Sequence, residues 1–395
     1  MLCYEAYVGM PAHYPHWSYG KAYERQKRFY QLNLSGLPYE MVINSDPCIA
    51  YLMRDNTLLL QILTMAHVYG HNDFFKNNRL FQRDTRADMT VEMFKTHADR
   101  VREYNNDPSI GAAAVERVLD AAHALRFQVA RHGEGPYPSR KELAAEADES
   151  VPRRLQADLL AFLAQRGKLS DWERDLVNIV HAEAMYFIPQ METKIMNEGW
   201  ASYWHYQLLN RLQLSQGLHL EFLTRHNLVV RPLPGRINPY YVGFRMFAHL
   251  AEQHGGQDAV FAVRAAERDQ SFIRRYLTRE LCEELHLFQY VVQGEDMVVA
   301  DIADEEGWQK IRDEFANAVG LGTVPVIRPL ESDGGTLTLE HVYDGRELEM
   351  PYARETLKYV AELWGGKVIL KTRLEESDKL LVCAEDKTVT VQTPG

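Results

Sequence analysis

The spacing of apolar residues changes once along this chain, near Gly320, and the change limits the folds that the chain can adopt. Before Gly320, apolar residues recur in segment after segment at the spacing of one helix face. After it, short segments rich in β-branched residues alternate apolar and polar positions, which is typical of strands. The sequence therefore predicts a mainly α protein, with a large helical domain at 1–320 and a small C-terminal α+β domain at 321–395.

Individual elements follow from the same spacing and from the breakers between them. Helices are predicted at 56–75, 89–104, 110–129, 171–187, 192–214, 242–250, 258–271, 276–284, 306–318 and 352–364, and strands at 324–328, 336–342, 367–372, 380–383 and 389–391. Pro189 is expected to end the helix that precedes it, because proline lacks the amide hydrogen that a helix interior needs. The glycines and prolines of 133–138 predict a surface linker that continues to residue 152. Gly365 and Gly366 predict a helix C-cap within a ββαβ unit that a terminal hairpin completes.

Composition excludes several classes of protein. The 395 residues are 46% hydrophobic and 25% charged, which is ordinary for a globular protein with a buried core. No apolar run reaches the 18 residues of a membrane span, and the N-terminus lacks the basic-then-apolar pattern of a secretory signal. Four cysteines without a CxxC pair indicate neither a cysteine zinc site nor a disulfide framework, which fits a cytoplasmic location. A net charge of −11 argues against a nucleic-acid-binding surface.

Two histidines form the first candidate site. His67 and His71 are four residues apart in a predicted helix, so both imidazoles can point at one metal ion. Gly70 beside them would allow another backbone or a ligand to come close. The alternative is an ordinary helix on which one histidine packs and the other is exposed.

A second polar group follows more than a hundred residues later. Glu198, Ser202 and His205 share one face if a helix runs through them, and such a face is costly to bury without a partner or a metal ion. A solvated polar stripe is the alternative. The apolar residues around this face leave little other surface to expose and favour a buried stripe; they are Trp200, Ala201, Tyr203 and Trp204.

The two groups together supply the ligands of a metal site. Two histidines from one helix and Glu198 from another, with one position open, match the donors of a catalytic zinc site. The same donors also suit iron and manganese, and a further ligand from Glu183 or His205 would favour a harder metal. A divalent metal is therefore predicted, with zinc first and iron or manganese as alternatives.

Several blocks resemble the stage V sporulation protein R (SpoVR) family. The resemblance extends from near residue 1 to about residue 375, and the blocks that carry it are 66–78 (AHVYGHNDFFKNN), 10–21 (MPAHYPHWSYGK), 186–190 (YFIPQ), 193–201 (TKIMNEGWA) and 236–240 (RINPY). It implies a bacterial, cytoplasmic protein linked to sporulation and the spore cortex, also found in bacteria that do not sporulate. It further implies a stress-response role beside a PrkA-type serine kinase and a YeaH/YhbH-type partner.

A second resemblance concerns the mechanism. The segment that begins at Glu198 is similar to the one that supplies the third zinc ligand in some gluzincin peptidases, whose HExxH motif carries a water-activating glutamate. Val68 occupies the position of that glutamate here, so another carboxylate must do its work if the protein is a hydrolase. Glu183 is the first candidate for this base and Asp73 the second, and Asp73 could instead orient a histidine ring.

Other residues could line the same cavity. They are His13, His16, Lys76, Ser202 and His205, of which the first three could bind an anionic group of a substrate.

Three hypotheses remain open at this point: a metal-dependent hydrolase that cleaves an amide in a peptide or cell-wall precursor, a non-haem iron or manganese protein, and a non-catalytic scaffold that docks a kinase or partner through the C-terminal α+β region.

Overall fold

A computed structural model describes residues 13–17, 40–130, 157–233, 236–253, 256–287, 289–293, 296–301, 307–333 and 335–394. The chain divides into two compact units. The first takes its described residues from Ser18–Val91 and Pro189–Thr323. The second takes them from Ala12–Trp17, Glu92–Ile188 and Val324–Gly395. The linker predicted at 133–152 lies outside the described residues.

Within the described residues, the secondary structure before residue 319 consists of helices and two short hairpins, and strands predominate after it. In chain order the elements are β1 (Glu40–Ile43), β2 (Ile49–Leu52), α1 (Leu58–Asn77), α2 (Arg79–Asp84), a short 3-10 helix (Ala87–Met89), α3 (Thr90–Asn106), α4 (Ala112–Ala124), α5 (Leu159–Arg166), α6 (Asp171–Glu192), α7 (Lys194–Arg211), α8 (Gln216–Val229) and α9 (Pro239–Gln253). They continue with α10 (Gln257–Ala266), α11 (Asp269–Tyr276), α12 (Arg279–Glu284), β3 (Gln289–Gln293), β4 (Asp296–Asp301), α13 (Gly307–Ala318), β5 (Ile327–Asp333), β6 (Thr336–His341), α14 (Met350–Trp364), β7 (Val368–Leu374), β8 (Ser377–Cys383) and β9 (Val389–Gln392). No helix within the described ranges is long and apolar enough to span a bilayer.

Three helices of the first unit meet at unusually close range. A Cβ added to Gly70 of α1 would lie 2.6 Å from the Cα of Ala201 on α7. A Cβ added to Gly199 of α7 would lie 2.3 Å from the Cα of Gly243 on α9. Backbones can approach this closely only where side chains are absent or very small. The glycines therefore set the spacing of the three helices, and with it the position of every polar side chain between α1 and α7.

The start of α7 is fixed by an acidic side chain from another helix. The first amides of a helix have no partner within it. Buried Asp269, at the start of α11, accepts hydrogen bonds from the amides of Ile195 and Met196 at 2.8 and 2.9 Å. This contact anchors α7 one turn before Glu198.

The expectation that Pro189 ends a helix is wrong. Helix α6 runs through Pro189 and ends at Glu192. Thr193 is the one residue between α6 and α7. Proline removes one hydrogen bond from a helix but does not prevent its neighbours from forming theirs. The hydroxyl of Thr193 donates to the carbonyl of Pro189 at 2.6 Å and supports this last turn.

The second unit contains the C-terminal sheet. Its strands lie in the order β5-β6-β7-β8-β9, with β6 and β7 parallel and the other neighbouring pairs antiparallel. Helix α14 connects the two parallel strands and ends at Gly365, whose left-handed backbone (φ 72°) confirms the predicted cap. The ββαβ order with a terminal hairpin is confirmed, as is the mainly α fold class with a small C-terminal α+β region. The division at 320/321 stays a prediction.

Candidate metal centre

Helices α1 and α7 bring three side chains to one point. His67 and His71 lie one turn apart on α1, and Glu198 faces them from α7. The Oε2 atom of Glu198 lies 3.7 Å from His67 Nε2 and 3.5 Å from His71 Nε2. One ligand atom from each residue lies within 4.8 Å of the others, and in the described part of the chain no other three His, Cys, Asp or Glu side chains converge in this way.

The spacing suits a metal ion. Two atoms each about 2.0–2.1 Å from one ion, at a tetrahedral angle, are about 3.3 Å apart. All three residues are buried, with at most 6% of their surface exposed. Glu198 Oε2 has no hydrogen-bond partner among the described residues. A buried carboxylate oxygen without a donor is costly, so a cation between the three side chains would relieve the cost.

The second ring nitrogen of His71 forms a hydrogen bond with Asn197, the residue before Glu198. His71 Nδ1 lies 2.9 Å from Asn197 Oδ1. An amide oxygen can only accept, so His71 Nδ1 donates and its Nε2 keeps the lone pair that a metal needs. Asn197 thus orients the ring of His71 toward Glu198.

Glu198 itself is held by Lys194, one turn earlier on α7. The Lys194 ammonium donates to Glu198 Oε1, which leaves Oε2 facing the histidines. Burial alone would raise the pKa of Glu198, but the charge of Lys194 and the contacts with His67 and His71 outweigh it, and the pKa lies below its usual range. Glu198 is therefore ionised at neutral pH.

His71 faces the centre as a neutral ligand. Burial lowers the pKa of His71 to about 4, although the charge of Glu198 opposes the shift. A neutral imidazole beside an ionised carboxylate can accept a divalent cation without first losing a proton. His71 and Glu198 thus already have the protonation states that a metal requires.

A further histidine pair continues from His67 into the core. His67 Nδ1 lies 2.9 Å from His205 Nδ1, and His205 Nε2 lies 2.7 Å from His226 Nδ1. Burial lowers the pKa of both His205 and His226, in the latter to about 4. His205 was predicted on the face of Glu198, whereas nothing in the spacing indicates His226, which arrives on α8.

The other predicted residues of the first unit lie apart from the three ligands. Asp73 accepts from Trp200 Nε1 at 2.9 Å and has Arg264 Nε at 3.5 Å. Positions two apart on a helix point about 200° apart, so Asp73 faces away from His71. Lys76 is exposed near the end of α1. Ser202 is completely buried, and its hydroxyl has no partner within the described residues.

The remaining predicted residues belong to the second unit. Glu183 is completely buried on α6, and its Oε1 lies 3.1 Å from His97 Nδ1. His16 Nε2 lies 3.0 Å from Asp120 Oδ1, and His13 is half-buried. The roles of Glu183, His16 and His13 in chemistry stay predictions.

The metal-free protein is expected to lose stability as the pH falls. His71 and His226 have a pKa of about 4 when folded and 6.5 when unfolded, so between these values only the unfolded chain takes up the proton. Each contributes on the order of 1 kcal/mol of destabilisation per pH unit. The lowered pKa of Glu198 acts in the same direction. As the pH falls below the pKa that Glu198 has in the unfolded chain, the folded state loses further stability.

One buried acid opposes this trend. Burial raises the pKa of Asp269 to about 8, so its protonation favours the folded state as the pH falls. The histidines outnumber it, and the net slope between pH 6.5 and 4 is expected to be destabilising. Denaturant midpoints of chelator-treated protein across this range measure it. A midpoint that stays constant or rises toward pH 4 would contradict the neutral buried histidines.

Comparison with known proteins identifies relatives of the chain. The family model described as SpoVR like protein matches residues 1–149 and 135–324, and the model described as SpoVR-like C-terminal domain matches residues 332–375. The chain is 33% identical over 434 aligned residues to the uncharacterized protein YcgB of Escherichia coli (strain K12), with 93% of this chain and 85% of that protein covered. No solved structure matches the chain. The matched ranges include His67, His71 and Glu198.

Proposed function

The chain belongs to the SpoVR family, and we propose that it is a divalent-metal-dependent hydrolase of amide bonds in which His67, His71 and Glu198 bind the metal. The convergence of these three buried side chains is the observation that carries the proposal. Zinc is the proposed ion. Three protein donors and an open fourth position are the arrangement of catalytic zinc sites.

The chemistry divides between the ion and the side chains around it. A bound ion of this kind polarises a scissile carbonyl and lowers the pKa of a water molecule. Asn197 and Lys194 keep His71 and Glu198 oriented, so the donors need no rearrangement. The side chain of Lys194 is 27% exposed, and its ammonium provides positive charge beside the site.

The water-activating base must be a carboxylate other than the side chain at position 68. Val68 cannot take this role, and Glu183 remains the first candidate with Asp73 the second. Asp73 already accepts hydrogen bonds from Trp200 and from Asn77, and it points away from His71, which argues for an orienting or structural role. Glu183→Gln and Asp73→Asn separate the two: loss of turnover with metal retained identifies the base.

There are two alternatives to zinc-dependent hydrolysis. Two histidines and one carboxylate also form the iron site of non-haem oxygenases, and manganese accepts similar donors. Metal analysis of protein purified without added metal distinguishes these from zinc. A non-catalytic role with a PrkA-type kinase and a YeaH/YhbH-type protein is the second alternative, in the cytoplasmic sporulation or stress setting that the family resemblance implies.

Hydrolysis can be tested directly. Zinc-loaded protein is incubated with a panel of peptides and peptidoglycan fragments, and new amines are detected by mass spectrometry. Wild-type protein and Glu252→Gln, which changes an exposed carboxylate on α9, are expected to cleave the same amide. Glu198→Gln and chelated wild type are expected to cleave none. Cleavage that persists in both would refute the metal-dependent hydrolase.

A further inference from the structure

Three buried histidines form a hydrogen-bonded series that begins at the metal centre. His67 Nδ1 lies 2.9 Å from His205 Nδ1, and His205 Nε2 lies 2.7 Å from His226 Nδ1. His205 is completely buried and His226 is 3% exposed. A neutral imidazole has one donor and one acceptor nitrogen. We call His67, His205 and His226 the histidine chain. Each ring therefore determines which nitrogen of the next ring carries the proton.

We infer that His205 and His226 are positioning residues that hold His67 in the tautomer able to bind a metal, an inference that rests on the proposed metal centre. The Nε2 of His67 faces Glu198 and must keep its lone pair to bind an ion. The proton of His67 then lies on Nδ1 and is donated to His205.

The same requirement determines the proton positions of His205 and His226. Because His205 Nδ1 accepts from His67, the proton of His205 lies on Nε2 and is donated to His226 Nδ1. The proton of His226 in turn lies on its own Nε2. All three hydrogen-bond roles thus follow from one condition, a free lone pair on His67 Nε2.

His226 influences the metal site without contacting His67. Without its acceptor, the Nε2–H group of His205 would be a buried donor with no partner, which is unfavourable. Moving that proton to Nδ1 of His205 would set two N–H groups against each other at 2.9 Å. His67 would then carry its proton on Nε2, the atom that faces Glu198. Loss of the last acceptor therefore favours the tautomer of His67 that cannot bind metal.

The ring of His226 packs between side chains of two other helices. The ring of His226 comes from α8 and lies 4.7 Å from the ring of Tyr206 on α7 and 4.9 Å from the ring of Phe244 on α9. Contacts on two sides restrict rotation of the imidazole. The acceptor at the end of the histidine chain is therefore set by packing.

The second histidine ligand provides an internal control. His71 Nδ1 meets Asn197 Oδ1 at 2.9 Å, so one amide fixes its tautomer independently of the histidine chain. Changes at His226 should affect His67 and leave His71 alone. Changes at Asn197 should do the opposite.

The test is a Co²⁺ titration of the full chain, followed by visible absorption and by paramagnetic proton NMR. Wild type is expected to show two exchangeable, strongly shifted N–H signals, one from each histidine ligand. His226→Leu is expected to bind Co²⁺ about 10–100-fold more weakly and to lose only the His67 signal. His226→Asn, whose amide oxygen can replace Nδ1 as acceptor, is expected to bind within a few-fold of wild type. Asn197→Ala is expected to lose only the His71 signal.

Packing and hydrogen bonding predict opposite orders for the two variants. Asparagine leaves a larger gap than leucine, so a purely structural role for His226 would make His226→Asn the weaker binder. That order, or wild-type affinity with both signals in His226→Leu, would overturn the inference while the metal centre stands. Absence of Co²⁺ binding in wild type would instead refute the metal centre, and the inference with it.

Discussion

Replacing both His67 and His71 by alanine is expected to reduce bound metal from about one ion per chain to none. The double variant leaves Glu198 as the sole remaining member of the converging group. A single carboxylate, already paired with Lys194, cannot hold a divalent ion in a protein interior. Elemental analysis of wild type and variant, purified in parallel after zinc supplementation, measures the difference.

A matched control separates this site from adventitious binding. His219 on α8 and His249 on α9 are partly exposed, and neither belongs to the converging group. The variant with alanine at both positions is expected to keep its metal. Because a ligand that binds only the folded state stabilises it, zinc should raise the melting temperature of this control but not of the His67/His71 variant. Equal metal in the two variants would place binding elsewhere.

Gly199→Ala is expected to destabilise the protein by about 3 kcal/mol or more, at the upper end of overpacking effects. The new methyl group would lie 2.3 Å from backbone atoms of Gly243, and no flexible side chain is present to move aside. Helices α7 and α9 would have to separate. Because Glu198 directly precedes Gly199, we expect metal affinity to fall together with stability. Denaturant unfolding and a zinc titration measure the two effects.

Gly217→Ala is the control for this substitution. Gly217 lies in α8, and a Cβ built there meets nothing within 4 Å. Alanine is the better helix former, so this variant is expected to be as stable as wild type or slightly more so. If Gly199→Ala were as stable as Gly217→Ala, the close approach of the two helices would be wrong.

Periodicity was sufficient to predict most of the architecture. Most long segments with one regular apolar face became helices near their predicted bounds, as Leu58–Asn77 shows for 56–75. The single helix predicted at 258–271 is wrong, because the chain breaks there into Gln257–Ala266 and Asp269–Tyr276. The C-terminal strands and their connecting helix also appear in the predicted order. Both results depend on local patterns that each segment carries within itself.

Other elements lack such a pattern. Helix Leu159–Arg166 is only eight residues long, and the apolar residues of Gln216–Val229 are spread around the helix instead of along one face. The hairpin of Glu40–Ile43 and Ile49–Leu52 consists of two strands of four residues each. Short or evenly apolar segments such as these take their structure from packing partners that the sequence does not indicate.

The residues of the candidate site also fall into two groups, those that local spacing indicates and those that it does not. His67 and His71 share a helix face by spacing alone, and the i, i+4 spacing of Lys194 and Glu198 could also have revealed their ion pair. Asn197 directly precedes Glu198, but nothing local indicates that it reaches His71. His226 is 21 residues from His205 along the chain. Its contribution depends on how α8 packs, which spacing rules do not describe.

The most direct test of the metal centre is an anomalous-difference map at the zinc edge, from crystals of the full chain grown with zinc. A peak is expected about 2.0–2.1 Å from His67 Nε2, His71 Nε2 and Glu198 Oε2. A map with zinc bound elsewhere and no peak between these three side chains would contradict the proposed metal centre.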